Sequence, residues 1–241
     1  KRYGIRIMVV RKKVAIIEPV GGHGGMDYYD FPLCEGIARS LYEVTLYTCD
    51  KTIQPSDCKY QVEHTYAGIY GESPMWKRAL LYLYGSFKSI VSSIITGRKI
   101  CHFHFFHIDP LSLFGVLLAR STFRKVVITA HDVESLSSNL ETSFVSKIAY
   151  GLAHKVIAHN KTIKNELIRC LNVPVEKICV IPSGNYLHVV GVPPRYSDSR
   201  ERLGIPEESK VLLFFGQIKD VKRLDLLISS MPNILDSHPD T

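Results

Sequence analysis

The sequence predicts an α/β protein built on a mostly parallel sheet with helices on both faces. Three observations carry that prediction. Short apolar runs rich in Val, Ile and Phe alternate with amphipathic stretches along nearly the whole chain. The runs are continuous instead of alternating in polarity, as strands buried on both faces tend to be. The first of them, Val14 to Pro19, ends in the glycines Gly21, Gly22, Gly24 and Gly25, where such a sheet would turn from strand to helix. Strand alternating with helix is the pattern of parallel neighbours joined by right-handed crossovers.

Taken in order, the glycines lead into a helix from about Tyr28 to Ser40 and a strand at Val44 to Cys49. A less regular region reaches Glu72, with a strand at Gln61 to Tyr66. Pro74 suits a first helical turn, where its missing N–H has no intrahelical partner to lose, and opens a helix over Met75 to Thr96. There follow a strand at Ile100 to Phe105, a helix after Pro110 and a strand at Lys125 to Ala130. A helix around Phe144 to Ala153 leads to a strand at Lys155 to His159. The next helix, Thr162 to Leu171, takes its cap from Asn160 or Thr162 and leads to a strand at Lys177 to Ile181. Residues 1–190 thus form a first domain. Pro193, Pro194 and Pro206 among several charges mark 191–208 as a linker. Residues 209–241 open a second domain with a strand at Val211 to Phe215, a turn at Gly216 and a helix from about Leu224 to Leu235. One strand and one helix cannot close a core, so this second domain is expected to be truncated at Thr241.

Composition narrows the function classes. Of 241 residues 46% are hydrophobic and 22% charged, as in ordinary soluble globular proteins. The formal net charge of +7 fits a solvated basic surface, or attraction to anionic lipid or to a phosphate-bearing substrate. Nucleic acid is not expected as a partner, because zinc-finger spacing, arginine-rich tracts and aromatic RNA-binding signatures are all missing. The six cysteines include no Cys-x-x-Cys pair and sit in apolar contexts, which suits a reduced, cytoplasmic protein. The chain opens on Lys1, so its natural start is expected upstream, and no signal-peptide cleavage site follows the first apolar residues. Lys88 interrupts the best candidate for a membrane span. The helix around it carries Lys77 and Arg78 beside Trp76, Tyr82, Tyr84 and Phe87, and suits either packing on the sheet or lying on a membrane surface.

Four segments carry candidate chemistry. In open α/β sheets ligands bind beyond the carboxyl ends of the strands, so the Gly21–Gly25 turn is placed to bring backbone amides to an anion. It equally makes a tight turn, and its spacing is not the Gly-x-Gly-x-x-Gly of dinucleotide sites. His102 and His104 share one face of their strand, with His107 and Asp109 close behind. A metallo-hydrolase would want His-x-His-x-Asp-His, and Phe106 occupies the Asp place. Thr129-Ala130-His131-Asp132 puts a histidine at the end of a buried strand, facing the crevice, with Asp132 to orient it or to bind hydroxyls. Finally, Phe214-Phe215-Gly216 is followed by Lys219, Lys222 and Arg223 ahead of an apolar helix.

Together these residues resemble family 4 of the retaining glycosyltransferases. The resemblance rests on Gly24-Gly25 opening a helix, Glu43-Val44-Thr45 at the next strand, the His-x-His strand, Thr129 to Asp132, Val180-Ile181-Pro182-Ser183-Gly184-Asn185, and the 213–228 segment. Departures occur at Tyr29, where the family often has His, at Ser183 for His or Asn, at Gln217 for Arg, and at Arg223 for Gly. The resemblance implies two Rossmann-like domains of the GT-B type. It implies a catalytic role for His131, acceptor or sugar contacts at Gly24, Gly25 and Asp132, and binding of the donor diphosphate by Lys219 and Lys222. Fixed cations then stabilise the leaving group without a metal or other cofactor, and a nucleotide-sugar is the donor substrate. The acceptor would be a glycan or lipid-linked glycan, in surface polysaccharide synthesis, in the cytoplasm at the inner face of the membrane, with an anionic membrane surface as a further partner. A hexosyl group would be transferred, and the 241 residues alone would be inactive. The alternatives are a non-catalytic glycan- or lipid-binding module, a metal-dependent hydrolase using His102, His104 and His107, and, weakest, a dinucleotide-dependent oxidoreductase or epimerase.

Overall fold

The apolar runs become seven strands in the computed structural model, which describes residues 11–131, 140–184, 192–216, 218 and 220–240. They are β1 (Lys12–Ile17), β2 (Tyr42–Tyr47), β3 (Gln61–Glu63), β4 (Ile100–Phe105), β5 (Lys125–Ala130), β6 (Lys155–Ala158) and β7 (Ile178–Val180). One sheet holds them in the order β3-β2-β1-β4-β5-β6-β7, and every neighbouring pair is parallel. The order reverses at β1, which has β2 on one side and β4 on the other, with Val14 beside both Val44 and Ile100. Loops leaving the carboxyl ends of β1 and β4 diverge there and open a crevice.

Among the described residues five helices flank this sheet: α1 (Asp27–Arg39), α2 (Met75–Ile95), α3 (Pro110–Ser121), α4 (Leu140–Leu152) and α5 (Lys161–Leu171). Alternation along the strands sorts the core into two layers. Val14, Ile16, Val44 and Leu46 pack on Cys34 and Ala38 of α1. Ala15, Ile17, Phe103, Ile128 and Val156 point the other way, toward Ile90 of α2, Val116 of α3, Tyr150 of α4 and Leu167 of α5. The helix ends follow from local chemistry. Asp109 accepts the Ser112 N–H at 2.7 Å, with Pro110 in the first turn of α3. Asn160, and not Thr162, caps α5 by accepting the Ile163 N–H at 2.8 Å, and Asn172 ends it in the left-handed region (φ 54°).

Three expectations are corrected. The strand expected at Gln61 to Tyr66 stops at Glu63, because the Thr65 N–H turns back onto the Glu63 carbonyl and the chain leaves the sheet. Val211 to Phe215 form no strand, and Leu213 and Phe215 are 80% and 90% exposed. A strand needs a ladder partner, and no other strand occurs among the described residues of this part of the chain. The stretch read as a linker contains α6 (Tyr196–Leu203), closed by Gly204 in the left-handed region. By contacts the chain divides into two units between residues 186 and 187. The second unit contains α6 and α7 (Leu224–Ser237).

Gly21 is fixed both by its backbone conformation and by a close approach. Gly21 has φ +48°, and a Cβ there would lie 2.0 Å from Thr52 Oγ1 and 2.3 Å from Thr48 Oγ1. At Gly25 (φ +73°) the nearest atom is Tyr28 Cδ2, 3.9 Å away. Gly21→Ala is therefore expected to cost about 2–4 kcal/mol, from backbone strain plus displacement of β2's exit, and Gly25→Ala only about 1 kcal/mol. Urea denaturation of both variants checks this, and equal losses would refute the steric account.

Candidate functional site

The site is built on the loop that leaves β1. Glu18, 1% exposed, turns its carboxyl back on that loop and accepts the N–H groups of Val20, at 2.9 Å, and of Gly21. The Gly22 N–H donates to Thr52 Oγ1 at 3.0 Å, and those of His23, Gly24 and Met26 close onto the carbonyls of Val20 and Gly21. An internal carboxyl thus occupies the amide nest that an anionic ligand would otherwise use. Gly24 and Gly25 remain as the exposed tip of the turn into α1.

Four imidazoles gather at the carboxyl edge of the sheet, two from β4 (His102, His104) and one just past each of β5 (His131) and β6 (His159). Tyr29 of α1 lies at their centre. Its ring meets those of His131, His104 and His159 edge-on, with centroids at 4.8, 5.4 and 5.5 Å. Phe106 stacks on His131 at 4.8 Å. His102 Nε2 pairs with Thr129 Oγ1 at 2.7 Å, and His104 Nδ1 with Asp30 Oδ1 at 2.8 Å. The Nε2 atoms of His104, His131 and His159 are buried without a hydrogen-bond partner among the described residues. Beside them a cavity of about 210 Å³ is lined by Tyr28, Tyr29, Leu33, His159, Ile181 and Pro182.

Burial dominates the electrostatics. It pushes His104 and His131 down to about 3, helped by repulsion from neighbouring imidazoles, and holds His102 well below its ordinary range. These three rings are therefore neutral at physiological pH. Burial also raises Glu18 and Asp30 well above the carboxylate range; the Asp30 charge adds to the effect on Glu18. With a neutral ring facing a carboxyl held toward its protonated form, the His104–Asp30 contact is a hydrogen bond and not an ion pair. The two carboxyls interact side chain to side chain, a contact that raises Glu18 further and works against the burial-driven rise of Asp30. Both Glu18 oxygens accept backbone N–H groups, whereas Asp30 Oδ2 is buried without a hydrogen-bond partner among the described residues.

Residues 23–185 match the family model described as Glycosyltransferase Family 4. The chain belongs to glycosyltransferase family 4. A D-inositol 3-phosphate glycosyltransferase of Streptomyces scabiei is 24% identical over 240 residues, which take in 91% of this chain and 53% of the relative. The chain thus spans about half the length of that curated relative. Among solved structures, the sucrose-phosphate synthase of Thermosynechococcus elongatus superposes with a TM-score of 0.73 at 19% identity, over 93% of this chain and 60% of that one. Anabaena HepE, in complex with UDP and glucose, gives 0.61 at 17% identity, over 92% and 58%. At such identities the likeness establishes the fold, a GT-B Rossmann-like sheet.

Within this family 4 chain the expected site residues fall into two groups. His131 stands at the end of β5, half-buried between Tyr29 and Phe106. Gly24 and Gly25 lead directly into the helix that carries Tyr29. Asp132 and Lys219 lie outside the described residues. Lys222 belongs to the second unit, exposed in a single helical turn just before α7, where the neighbouring Arg223 pairs with Asp225 at 2.9 Å. The three histidines of the hydrolase alternative do not act together. His102 and His104 are engaged by Thr129 and Asp30, His107 is exposed, and among the described residues no three His, Cys, Asp or Glu side chains are grouped to hold a metal ion. Sequence reasoning missed Glu18 and Asp30, and read His159 as mainly structural. A signal for Asp30 was present: it shares one helical face with Cys34 and Ala38, an acid on the stripe that packs against the sheet.

Proposed function

We propose that this protein forms the acceptor-side half of a glycosyltransferase that moves a hexosyl group, with retention of configuration, from a nucleotide-sugar to a glycan or lipid-linked glycan. The observation that supports this best is the place of His131. Its neutral imidazole stands at the carboxyl edge, beside the strand-order reversal, with a free Nε2 and an aromatic wall. In family 4 a histidine at the end of this strand contacts the transferred sugar. HepE was crystallised with UDP and glucose, which supports a nucleotide-sugar as donor here too. Lys219 and Lys222 would hold the donor diphosphate without a metal, while Gly24, Gly25 and Asp132 would contact the acceptor. Synthesis of surface polysaccharide, in the cytoplasm at an anionic membrane surface, completes the reading. Transfer is assigned to a polypeptide of the relatives' full length and not to these 241 residues by themselves.

The test is a screen of the full-length protein with UDP- and GDP-hexoses and candidate glycans, read as release of nucleoside diphosphate. Release should require both substrates. Lys222→Ala should lower kcat/KM about tenfold or more without changing thermal stability, since its side chain is exposed. If no donor is consumed and neither UDP nor GDP raises Tm, the glycan-binding alternative replaces the transferase.

A further inference from the structure

The amino edge of the sheet, at the far end of the strands from the candidate site, gathers a second cluster of charge. It comprises Arg120 in the last turn of α3, Lys125 at the start of β5, His154 just before β6 and Lys177 just before β7. Burial, and then the charges of Arg120, Lys125 and Lys177, hold the His154 ring below its ordinary value, so all three cations bear on it. None of the three pairs with a carboxylate among the described residues. Lys177 Nζ donates to the Gly151 carbonyl and the adjacent Lys155 Nζ to the Glu176 carbonyl, each at 2.8 Å, so both meet neutral backbone. The carboxyl-terminal dipole of α3 accounts for a cation in its last turn, but it amounts to about half a charge against three full ones.

His154 cannot satisfy both of its neighbours. The Val126 N–H donates to Nδ1 at 2.9 Å, and the His154 N–H donates back to the Val126 carbonyl at 2.8 Å, which holds the residue against β5. Nδ1 is therefore the acceptor, and a neutral ring carries its proton on Nε2. Nε2 faces Arg120 Nη1 at 2.9 Å, and a guanidinium only donates. Two donors thus meet across that gap, and protonating the ring removes its one acceptor. Arg120 Nε is in turn buried without a hydrogen-bond partner among the described residues. Converging donors amid unpaired cations are satisfied by an anion that offers several oxygens. These donors arrive from α3, from β5 and from the turns before β6 and β7, more directions than the two coplanar oxygens of a carboxylate meet. A tetrahedral oxyanion meets them, and it has access, since Lys125 and His154 are exposed.

We infer that Arg120, Lys125, His154 and Lys177 form a binding site for a phosphate-class oxyanion, either free phosphate or the phosphoryl group of a small phosphomonoester. The six residues of β5 put roughly 20 Å between this site and His131. The site stands on its own geometry and not on the transferase reading. ¹⁵N–¹H spectra of the full chain test it, titrated with inorganic phosphate and with methyl phosphate against sodium chloride at matched ionic strength. The His154 ring signals should shift saturably with both phosphates at millimolar concentration, and not with chloride. Either phosphate confirms the site; a preference for methyl phosphate assigns it to an esterified ligand, and equal binding assigns it to free phosphate. Arg120→Gln should weaken binding about tenfold or more, because it removes charge-assisted hydrogen bonds. Lys125→Gln should weaken it several-fold at unchanged Tm, since that side chain is exposed, and it decides the matter if the first variant unfolds. A shift that chloride reproduces, a response that does not saturate, or undiminished binding by the glutamine variants overturns the inference. No sugar donor or acceptor enters the assay, so its failure leaves the transferase reading untouched, and failure of transfer leaves this site standing.

Discussion

His131→Ala in the full-length enzyme is expected to lower kcat about 10²- to 10³-fold with little change in KM, the range found when one preorganised hydrogen-bonding group is removed from a reaction centre. The imidazole stands at the carboxyl edge with one ring face on Phe106 and its edge on Tyr29, so its direction is fixed before any ligand arrives. Its pKa is pushed down to about 3, mainly by burial, so the neutral ring is the working form throughout pH 5–8. Two consequences separate this role from simple packing. His131→Asn, which keeps a hydrogen-bonding group on a shorter arm, should recover part of kcat, whereas His131→Leu, which keeps the packing, should not. The acid limb of the pH profile above pH 5 should belong to another group, and ¹⁵N spectra of His131 should show no titration between pH 5 and 8. A midpoint near 6.5 in those spectra would refute the electrostatic picture, and full activity of the alanine variant would remove His131 from the chemistry.

Asp30→Ala is expected to destabilise the fold by about 2–3 kcal/mol, because it takes from the buried His104 Nδ1 its hydrogen-bond partner. Asp30→Asn should be nearly neutral at pH 7. Its side-chain amide keeps a hydrogen-bonding group against His104 Nδ1 and replaces an acid whose proton burial otherwise holds. The pH dependence of stability separates the two variants further. In the wild type the carboxyl pair holds a proton that the unfolded chain has lost above its ordinary carboxylate range. Stability therefore falls by about 1.4 kcal/mol per unit as pH rises from there toward the raised folded value. The histidines act in the opposite sense. Folded values of about 3, against 6.5 unfolded, mean that the unfolded state binds protons first, so stability falls as pH drops below 6.5. The three lowered histidines outnumber the two raised carboxyls, so the acid limb below pH 6.5 is the dominant one. Asp30→Asn should flatten the alkaline slope and leave the acid limb standing. An unchanged alkaline slope in urea titrations of that variant would show that Asp30 does not hold a proton in the folded state.

The elements themselves were legible in local sequence. Continuous apolar runs gave β4 and β5 to the residue, because a strand buried on both faces leaves no alternation to misread. The glycine turn, the cap of α5 at Asn160 or Thr162 and the place of His131 at a strand end were equally local. The strand expected at Val211 to Phe215 shows where such reading fails: its apolar residues suit a strand, but a strand exists only by pairing, and pairing is not a property of the segment. The gathering of Tyr29, Asp30, His104, His131 and His159 is of the same kind. They come from one helix and three strands spread over 131 positions, and meet only because β4 lies beside β1 and α1 packs across their shared face. Their altered proton affinities follow from that meeting, since burial and neighbouring charge have no counterpart in the extended chain. For α2 the sequence determined an amphipathic, acid-free helix with one small face and one large apolar face. Which face turns inward was decided by tertiary structure alone: the Thr65–Tyr66 segment leaves no room for a Cβ at Gly85, serines line the contact beside Ile90, Leu81 and Tyr82, and Trp76, Leu80, Tyr84 and Phe87 are left outside.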